Sequence, residues 1–592
     1  MTASGNPPPE TPARSFLARH RTLWPALLII AAGGALYANS LRGVFVLDDI
    51  PGIVLNPALR SFPTLAQTLE DSRPVVFLTL ALNYACSAYR PWSYHLVNAA
   101  VHVLAALALF GIVRRTLELP ALAGRYGPWA APLALTIAWL WLVHPLQTES
   151  VTYVIQRGES LMGLFYLLAL YGLIRGHSSP RAHGWYAGAV ASCLLGAGCK
   201  EVIVTLPAVA FACDALFLTG SWRESFRRRW GLYLAWTLCC GLVVFRFMRH
   251  ASDAAATVGF AMKGVTPLRY ALTQPGVILH YLRLALWPSP LCLDYGWPLA
   301  GSIGEALPAL LIVGALLAVS VAGVAYGRRW GFLGLAFFCI LAPTSSVVPI
   351  KDAAFEHRMY LPLAAVIAGV VIAAFECWNR AWPPSSKRGS GRALACAAVL
   401  AVAWLGFLTV RRNAEYGDAV ALWSRTVRCA PGNARASGQL GAALERRERP
   451  GDTSPGGEEA LLELKRDIAL KPCYAQGYVA RGDTHAAARS YAEAIHDYDQ
   501  AIALQPDCAE AWRNRANAYA STGRTAEAAR DLSRVIELQP GDAAAYYRRA
   551  IVRRRMKQDR EALEDFRRVR KLGGTVPEEL LRSPGPAEQP PR

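Results

Sequence analysis

Long apolar runs recur along the first 410 residues of the chain, and each approaches the roughly 20 residues that a helix needs to cross a bilayer. The runs lie at 24–41, 95–113, 128–147, 158–175, 184–199, 202–220, 230–248, 303–327, 330–349, 359–377 and 393–410. They predict an all-α fold, a polytopic membrane helix bundle of about eleven spans over 24–410. The polar segment 1–23 before the first run is predicted to be a cytoplasmic tail. Because further runs follow, the first run is interpreted as an uncleaved signal anchor.

After residue 410 the apolar runs give way to an internal repeat. Pro472, Pro506 and Pro540 are spaced 34 residues apart. The same register carries bulky anchors and small residues, namely Tyr478/Trp512/Tyr546, Ala494/Ala528/Ala562 and Tyr498/Leu532/Phe566. This period predicts a tetratricopeptide-repeat α-solenoid over 459–581. A degenerate helical repeat is predicted at 411–444, a flexible insertion at 445–458 and a disordered Pro-rich tail at 582–592.

Composition narrows the possible classes of protein. Of the 592 residues, 53% are hydrophobic and 18% are charged, which is typical neither of a soluble enzyme nor of a disordered chain. The 13 cysteines include no C-x-x-C pair, and this argues against a zinc ribbon or a disulfide scaffold. The formal net charge of +19 is compatible with nucleic-acid binding or with cytoplasmic loops.

The position of the positive charge favours the second interpretation. If the N-terminus is inside, the basic residues fall in the even-numbered connections: Arg114/Arg115/Arg125, Arg175/Arg181, Arg223/Arg227/Arg228/Arg229, Arg328/Arg329 and Lys387/Arg388/Arg392. This matches the positive-inside bias, and such short, scattered loops argue against a nucleic-acid partner. The outer face then carries 42–94, 144–157, 249–302, 350–358 and everything after 410. Segment 266–290 is interpreted as surface helices; as a span it would invert the downstream topology.

Two adjacent carboxylates, Asp48 and Asp49, stand in the first predicted outer loop with apolar residues on both sides. Such an environment raises a carboxyl pKa and favours a role as general base. One of the two is the candidate base, and the other is a metal ligand or an orienting group. The spacing alone does not rank them.

Further polar candidates fall at the predicted outer ends of the spans. They are His95, His144, Glu149, Arg157, Lys200, Glu201, Glu356 and Arg358. An ionisable residue at the start of a span suggests a functional site. It can also form hydrogen bonds between helices or snorkel to the membrane surface. Because one topology places them all on the same side, we expect a single outward-facing cavity that holds acid and base together.

The ordered motifs resemble a known family. They are Asp48-Asp49, Arg73-Pro74, Leu82-Asn83-Tyr84, Tyr94-His95-Leu96-Val97-Asn98, His144-Pro-x-x-Thr-Glu149, Lys200-Glu201 and Glu356-x-Arg358-x-Tyr360-Leu-Pro, followed by the repeats. This set, covering about residues 24–575, resembles the transmembrane and tetratricopeptide-repeat O-mannosyltransferases and their bacterial relatives. These belong to the C-type glycosyltransferase superfamily. The resemblance implies transfer of a sugar, with inversion, from a polyprenyl-phosphate donor to a protein hydroxyl.

The resemblance assigns roles at two places: Asp48 and Asp49 take the acidic-motif role, and Glu356 and Arg358 match the Glu-x-Arg element. From their charge alone, Arg358, Arg157 and Lys200 are expected to bind the donor phosphate. The supporting or orienting residues are His144, Glu149, Glu201, Glu356 and His95. His357 stands where relatives commonly carry Arg after Glu. A divalent cation could also neutralise the phosphate, and the sequence leaves the metal question open.

The expected setting is the inner membrane of a bacterium, with the C-terminal repeats on the periplasmic face. The expected partners are a polyprenyl-phosphate-linked sugar, the bilayer and a protein or peptide bound by the repeats. One alternative is a non-catalytic membrane-anchored repeat scaffold for envelope assembly. Another is a transferase acting on a glycolipid or cell-wall polymer. A transporter is disfavoured, because the ionisable residues lie at helix ends and the repeat lies outside the apolar region.

Overall fold

The computed structural model describes residues 12–54, 56–59, 62–249, 265–350, 352–382, 387–447, 475–487, 489–572 and 574–581. The described residues are helical and contain no strand, which confirms the predicted all-α class. The chain divides into two compact units. The first comprises Met1–Leu293 and Trp297–Asp418, and the second comprises Asp294–Gly296 and Ala419–Arg592.

The first unit is built from sixteen described α-helices. Their bounds are α1 Pro12–Tyr37, α2 Leu65–Glu70, α3 Pro74–Ser87, α4 Pro91–Leu117, α5 Pro120–Tyr126, α6 Ala130–Leu142, α7 Thr148–Val151, α8 Arg157–Ser178, α9 Ala182–Ala197, α10 Leu206–Cys213, α11 Trp222–Arg249, α12 Pro267–Leu286, α13 Ile303–Ala325, α14 Gly331–Leu341, α15 Pro362–Ala381 and α16 Lys387–Glu415. Short 3₁₀ segments connect several of them, including Val154–Gln156, Glu201–Thr205 and Glu356–Met359.

Fewer helices than predicted are suited by length and composition to span a membrane. Among the described residues, six qualify, at 23–42, 91–117, 201–218, 303–325, 362–381 and 391–415. A bent pair, 120–142 with 145–151, makes seven. The sequence pattern predicted about eleven. The predicted span 330–349 shortens to the 11 residues of α14, and the predicted span 184–199 matches the 16-residue α9; both helices are below the about 20 residues that a hydrocarbon core requires. Segment 266–290 holds a single helix, α12, with Pro275 inside it.

Proline sets where several helices begin. Pro74, Pro91 and Pro362 stand at the first or second position of α3, α4 and α15. Proline fits there because its fixed φ suits a helix and its missing N–H would have no intrahelical partner. Arg73 and Arg90, the residues before α3 and α4, have non-helical backbone.

Tyr360 fixes the segment that precedes α15. Its hydroxyl lies 3.0 Å from His102 Nδ1, and its carbonyl accepts the Trp141 indole N–H at 2.9 Å. A Cβ added to Gly163 of α8 would lie 2.5 Å from Cε1 of the tyrosine ring, so only glycine allows this approach. Tyr360 is fully buried, and its contacts hold the neighbouring turn Glu356–Met359 in place.

The second unit is a series of helix pairs. Its described helices are α17 Ala419–Cys429, α18 Ala434–Arg447, α19 Ala475–Ala487, α20 Tyr491–Leu504, α21 Ala509–Ser521, α22 Thr525–Leu538, α23 Ala543–Arg555, α24 Asp559–Lys571 and α25 Glu578–Leu581. The predicted solenoid is confirmed over the described part. Of the predicted insertion 445–458, only 445–447 is described, as the end of α18, and the predicted tail 582–592 lies outside the described residues.

An arginine–aspartate pair recurs in each of three helix pairs, sixteen residues apart. The pairs are Arg481–Asp497, Arg515–Asp531 and Arg549–Asp565, with Nη2–Oδ1 distances of 2.6, 2.9 and 2.7 Å. In each pair both Nε and Nη2 donate to the same carboxylate, the two-pronged geometry for which the guanidinium is suited. The repeats are therefore clamped by charge as well as by their alanine and aromatic core.

Candidate active site

The two adjacent carboxylates of the first loop occupy opposite environments. Asp49 is fully buried, and its Oδ2 accepts the Val46 N–H at 3.0 Å while its Oδ1 accepts the Ile155 N–H at 2.7 Å. Asp48 is exposed. Leu47, just before them, has φ 46°, a left-handed turn that is uncommon for a residue with a side chain. The turn sends one carboxylate into the protein and leaves the other outside.

Asp49 is held by backbone donors in a buried site. Burial raises the pKa of Asp49 to about 7, although the hydrogen bonds from Val46 and Ile155 act in the opposite direction. Both of its oxygens already accept hydrogen bonds that tie its own loop to Ile155, over a hundred residues away. Asp49 is therefore suited to orient the loop.

Tyr153 lies beside Asp48. The Asp48 N–H donates to the Tyr153 hydroxyl at 3.0 Å, and Tyr153 is 1% exposed. Burial, followed by the charges of Asp48 and Asp49, raises the pKa of Tyr153 well above its usual range. The phenol therefore keeps its proton and can donate it in a hydrogen bond to the neighbouring carboxylate.

Arg157 is fully buried and makes four hydrogen bonds to protein acceptors. Its Nε donates to Asn98 Oδ1 at 2.7 Å, Nη1 donates to Asn83 Oδ1 at 2.6 Å and to the Thr79 carbonyl at 3.1 Å, and Nη2 donates to the Tyr94 carbonyl at 3.1 Å. Four of its five N–H groups are thus committed to α3 and α4. The sequence assigned Arg157 to the donor phosphate; these bonds instead fit a structural role.

Asn98 extends this network to the loop that carries Tyr153. Its amide Nδ2 donates to the carbonyls of Val151 and Val154 at 3.1 and 3.3 Å, while its Oδ1 is the acceptor for Arg157. The segment 151–155 is thereby fixed to α4. This segment supplies both groups that hold the acidic loop, the Tyr153 hydroxyl and the Ile155 N–H.

Three cations form a second group, which we call the cation cluster: Arg73, Lys200 and Arg358. Burial lowers the pKa of His357 well below its usual range, and the positive charges of Lys200, Arg358 and Arg73 lower it further. All three therefore lie within electrostatic range of one imidazole. Arg73 Nη2 also lies 3.9 Å from Glu201 Oε2, across partly exposed side chains.

Two members of the cation cluster are buried. Lys200 forms an ion pair with Glu159, and both side chains are nearly inaccessible. Arg358 donates from Nη1 to the Thr344 and Ala353 carbonyls at 3.1 and 2.8 Å, and from Nη2 to the Asp352 carbonyl at 2.6 Å. These bonds fix the guanidinium before any ligand arrives. Such preorganised charge is effective for binding an anion because it needs no rearrangement.

Two buried carboxylates orient the turn that carries Arg358. Glu149 accepts the His357 main-chain N–H at 2.9 Å through Oε2, and its Oε1 lies 2.8 Å from His357 Nδ1. With the imidazole neutral, this contact is a hydrogen bond whose proton is carried by Nδ1 or by the Glu149 carboxyl. Glu356 Oε1 accepts the Cys292 N–H at 2.6 Å. The sequence expectation that Glu149 and Glu356 support the site agrees with this geometry.

A short stretch of chain connects the acidic loop to the cation cluster. Ile155 holds Asp49, and Glu159, four residues later, pairs with Lys200. Four residues correspond to about one helical turn, roughly 6 Å of rise. The backbone attachment points of the two groups are therefore neighbours, as the prediction of one shared site requires.

The two candidate histidines have other contacts. A Cβ on Gly43 would lie 2.6 Å from His95 Nε2, so the buried ring of His95 packs directly on the loop backbone. His144 accepts the Leu146 N–H at Nδ1, 3.2 Å away, and its Nε2 lies 3.2 Å from the Ala285 carbonyl. In the contacts described, neither ring meets Asp48 or the cation cluster. His95 thus packs against the loop that carries Asp48, and His144 connects its own turn to Ala285.

Sequence reasoning gave no role to Arg73 or Tyr153. Arg73 immediately precedes Pro74, where α3 begins. A cation at the start of a helix could have been recognised as a candidate for binding an anion. Tyr153 follows the polar run 144–150, but its partner Asp48 is 105 residues away. Among the described residues, no group of three or more His, Cys, Asp or Glu side chains is arranged to hold a metal ion.

Comparisons with known proteins agree with the fold and the motifs. The family model described as tetratricopeptide repeat matches residues 479–543 and 517–577. Protein O-mannosyl-transferase Tmtc3 of Drosophila melanogaster is 26% identical over 81% of this chain and 58% of its own length. Tmtc1 of the same species is 25% identical over 79% of this chain and 64% of its own length. Human TMTC4 is 25% identical over 71% of this chain and 64% of its own.

The chain thus spans about three fifths of the length of these relatives, and the resemblance expected from its motifs is confirmed. Among solved structures, the crystal structure of MamA aligns with 26% of this chain and 86% of its own, at 20% identity and a TM-score of 0.23.

The burial of Asp49 predicts a pH-dependent stability. Its folded pKa of about 7 lies above the ordinary value of 3.8, so the folded state keeps a proton that the unfolded state has lost between these pH values. Stability should therefore fall as pH rises from about 4 to about 7, by on the order of a few kcal/mol. We expect Asp49→Asn to flatten the fall in thermal unfolding temperature across this window.

Glu70→Gln is the control, because Glu70 is an exposed carboxylate of the same segment between α1 and α3. It should reproduce the pH profile of the unmodified protein. An Asp49→Asn profile that is parallel to both would show that Asp49 does not titrate in this window.

The four hydrogen bonds of Arg157 predict that even lysine cannot replace it. Arg157→Lys keeps the charge but loses the planar fork, which leaves buried oxygens of Asn83 and Asn98 without donors. The loss of stability should be about 3 kcal/mol and should appear as a lower unfolding temperature in detergent. The matched control, Arg181→Lys on an exposed residue beyond the other end of α8, should leave it unchanged. An unaltered unfolding temperature for Arg157→Lys would contradict the structural role.

Proposed function

Because the chain resembles the protein O-mannosyl-transferases along most of its length, we propose that it is a membrane glycosyltransferase. In this proposal a sugar, mannose by analogy with the names of these relatives, passes from a polyprenyl-phosphate donor to a hydroxyl of a protein. The observation that carries the proposal is the exposed Asp48, held by buried Asp49 and Tyr153, with Ile155, which holds Asp49, four residues before Glu159, which pairs with Lys200 of the cation cluster. A base and an anion site side by side match the two demands of this reaction.

We assign the general base to Asp48 and the orienting role to Asp49. Asp48 is exposed and can reach an incoming hydroxyl, whereas both oxygens of Asp49 accept backbone N–H groups. The Tyr153 hydroxyl, by accepting the Asp48 N–H, limits the freedom of the base. A positioned base contributes about 10²–10⁴ to a rate of this kind.

We assign the donor phosphate to the cation cluster of Arg73, Lys200 and Arg358. Charge grows on the phosphate as the bond to the sugar breaks, and preorganised cations stabilise that change more than they stabilise the intact donor. Glu149, Glu201 and Glu356 keep these cations and their turn oriented. Arg157 is left out of this set because Nε, Nη1 and Nη2 all donate hydrogen bonds to protein oxygens, whereas the four hydrogen bonds described for Arg358 come from Nη1 and Nη2 alone.

The proposed step is a single displacement. Asp48 takes the proton of the acceptor hydroxyl as its oxygen bonds to the anomeric carbon of the sugar. The bond from that carbon to the phosphate oxygen breaks, and polyprenyl phosphate leaves against the cation cluster. Attack from the side opposite the leaving group inverts the anomeric configuration. No covalent intermediate with the enzyme is required.

The repeats and the arginine distribution supply the rest of the proposal. Tetratricopeptide repeats form extended concave surfaces that bind peptides, which favours a protein acceptor over a glycolipid or a wall polymer. The arginines of alternate connections favour an internal N-terminus in a bacterial inner membrane, with Asp48 and the repeats on the outer face.

The assignment of the base predicts the effect of two substitutions. Asp48→Asn removes the base and keeps the size of the side chain, so kcat should fall about 10²–10⁴-fold with little change in unfolding temperature. Transfer of mannose from a polyprenyl phosphate to envelope protein is measured by mass spectrometry on membranes. Glu70→Gln is the control and should retain activity.

Unchanged transfer by Asp48→Asn would exclude it as the base and would favour the scaffold alternative if Asp49→Asn were equally silent. Product found on glycolipid or polymer rather than protein would correct the acceptor class. EDTA treatment followed by added Mg²⁺ tests whether a divalent cation assists the three side chains.

The assignment of the phosphate predicts a separate kinetic signature. Arg73→Gln removes the partly exposed member of the cation cluster, so the KM for the polyprenyl-phosphate donor should rise about tenfold. The matched control is Arg90→Gln, since Arg90 is exposed and precedes Pro91 at the start of α4 as Arg73 precedes Pro74 at the start of α3. An equal effect of both substitutions would indicate a general loss of positive charge instead of a phosphate site.

A further inference from the structure

A cavity of about 600 Å³ lies between helices of the first unit, apart from the candidate active site. Its walls come from α4, α8, α14 and α15 and are apolar for most of their area. On α15 the lining residues form one stripe that includes Ala364, Ala368, Gly369 and Ala373. These small side chains leave a groove, because none reaches far from the helix axis. A Cβ added to Gly369 would still be 3.8 Å from its nearest neighbour, Leu333.

The groove is long enough for the acyl chain of a phospholipid. The stripe runs from Leu361 to Arg380, twenty residues, which corresponds to about 28 Å of helix. One leaflet occupies about half of the roughly 30 Å hydrocarbon core of a bilayer, so an acyl chain fits within this length. A water-filled cavity of this composition would be unfavourable, so an apolar occupant is expected.

The two ends of the cavity differ in exposure and charge. At the Leu361 end, Ile137 and Tyr166 are fully inaccessible and Leu361 is 3% exposed, so this end is closed. At the other end, Arg329 and Arg380 are exposed. An occupant must therefore enter from the arginine end, which is the end opposite Arg358 on the same chain segment.

The arginines at the open end are available to an anion. Arg125, also at this rim, is already paired with Glu376, and the Tyr126 hydroxyl donates to the same carboxylate at 2.5 Å. Arg329 uses only Nε, which donates to the Leu216 carbonyl at 3.2 Å. In the part of the chain that the structure describes, neither Arg329 nor Arg380 forms an ion pair with a carboxylate. Two guanidiniums are thus left beside an apolar groove.

From this combination we propose that the cavity binds an anionic phospholipid. Its phosphate lies against Arg329 and Arg380, and its acyl chain lies along the small-residue stripe of α15. The exposed indole of Trp330 at the same rim suits the polar boundary of a bilayer. By the positive-inside bias, this is a lipid of the cytoplasmic leaflet. The site does not depend on the proposed sugar transfer.

A polyprenyl phosphate from the active site is the competing occupant. Its phosphate would have to lie at the Arg358 end and its chain would have to pass Leu361, Ile137 and Tyr166. Those residues close the groove at that end. Arg329 and Arg380, which form no ion pair in the described part of the chain, lie at the other end. The geometry therefore favours the phospholipid, and the two occupants differ in which substitutions should release them.

The test uses the full chain, purified in neutral detergent and depleted of lipid. Bound lipid is counted by native mass spectrometry during titration with phosphatidylglycerol, with phosphatidylcholine as the zwitterionic comparison. We expect saturable binding that prefers phosphatidylglycerol. The double substitution Arg329→Gln/Arg380→Gln should weaken it roughly 10–30-fold, since each basic residue near a membrane anion contributes about a fivefold factor.

Matched variants separate the site from a general effect of charge. Arg328→Gln removes a neighbouring exposed arginine that does not line the cavity, and it should leave binding unchanged. Arg329→Lys/Arg380→Lys keeps both charges and should retain binding, which guards against a misfolded double glutamine variant. Gly369→Phe should fill the groove and abolish binding, and its unfolding temperature reports whether it has folded.

Two results would overturn the proposal. One is equal binding of phosphatidylcholine and phosphatidylglycerol that the double glutamine variant does not weaken. The other is binding of undecaprenyl phosphate that Gly369→Phe abolishes and the double glutamine variant leaves intact, which would identify the groove as a site for a donor chain. Because sugar transfer is not the readout, failure here is distinguishable from failure of the proposed function.

Discussion

The candidate site depends on how one buried charge is accommodated in an apolar bundle. Arg157 is fully buried at the start of α8, and an unpaired guanidinium there would cost several kcal/mol. Four hydrogen bonds to α3 and α4 offset that cost, and each requires its acceptor to lie in one position. These bonds therefore fix α3, α4 and α8 relative to one another. Apolar packing alone would allow the helices to slide. We infer that this is the purpose of placing an arginine in such a setting.

The order imposed by Arg157 reaches the exposed carboxylate through a chain of hydrogen bonds. Asn98 accepts from Arg157 and donates to Val151 and Val154, which fixes the segment whose Ile155 N–H holds Asp49. Asp49 in turn accepts the Val46 N–H and closes the loop that presents Asp48. A base must be held firmly to act on a hydroxyl, yet it must remain in contact with water and substrate. Burial of one aspartate and exposure of the next meets both needs.

Sequence reasoning succeeded where the signal was local or periodic. Apolar runs located most of the membrane helices, and the 34-residue spacing of Pro472, Pro506 and Pro540 located the repeats, because helix and solenoid periods repeat along the chain itself. It could not rank Asp48 against Asp49, since the difference is made by Ile155, 106 residues from Asp49. It assigned Arg157 to the phosphate, and the four protein oxygens that bind this arginine could not be foreseen from sequence. The apolar run 330–349 extends beyond α14, which ends at Leu341.

The positive charge of the chain has different consequences at the two ends of the bundle. At the active-site end, Lys200 is paired with Glu159 and Arg358 is fixed by three carbonyls, so an anion there meets charges already desolvated and aligned. At the other end, Arg329 and Arg380 remain exposed beside an apolar groove, and salt screens their charges. An anion binds strongly there only if it also has an apolar chain that the groove can bury. Preorganisation favours tight recognition of a reacting phosphate, whereas exposure favours exchange with lipid. Under the two proposals, cations fixed by protein oxygens bind a reacting phosphate at one end, and exposed arginines bind a lipid at the other.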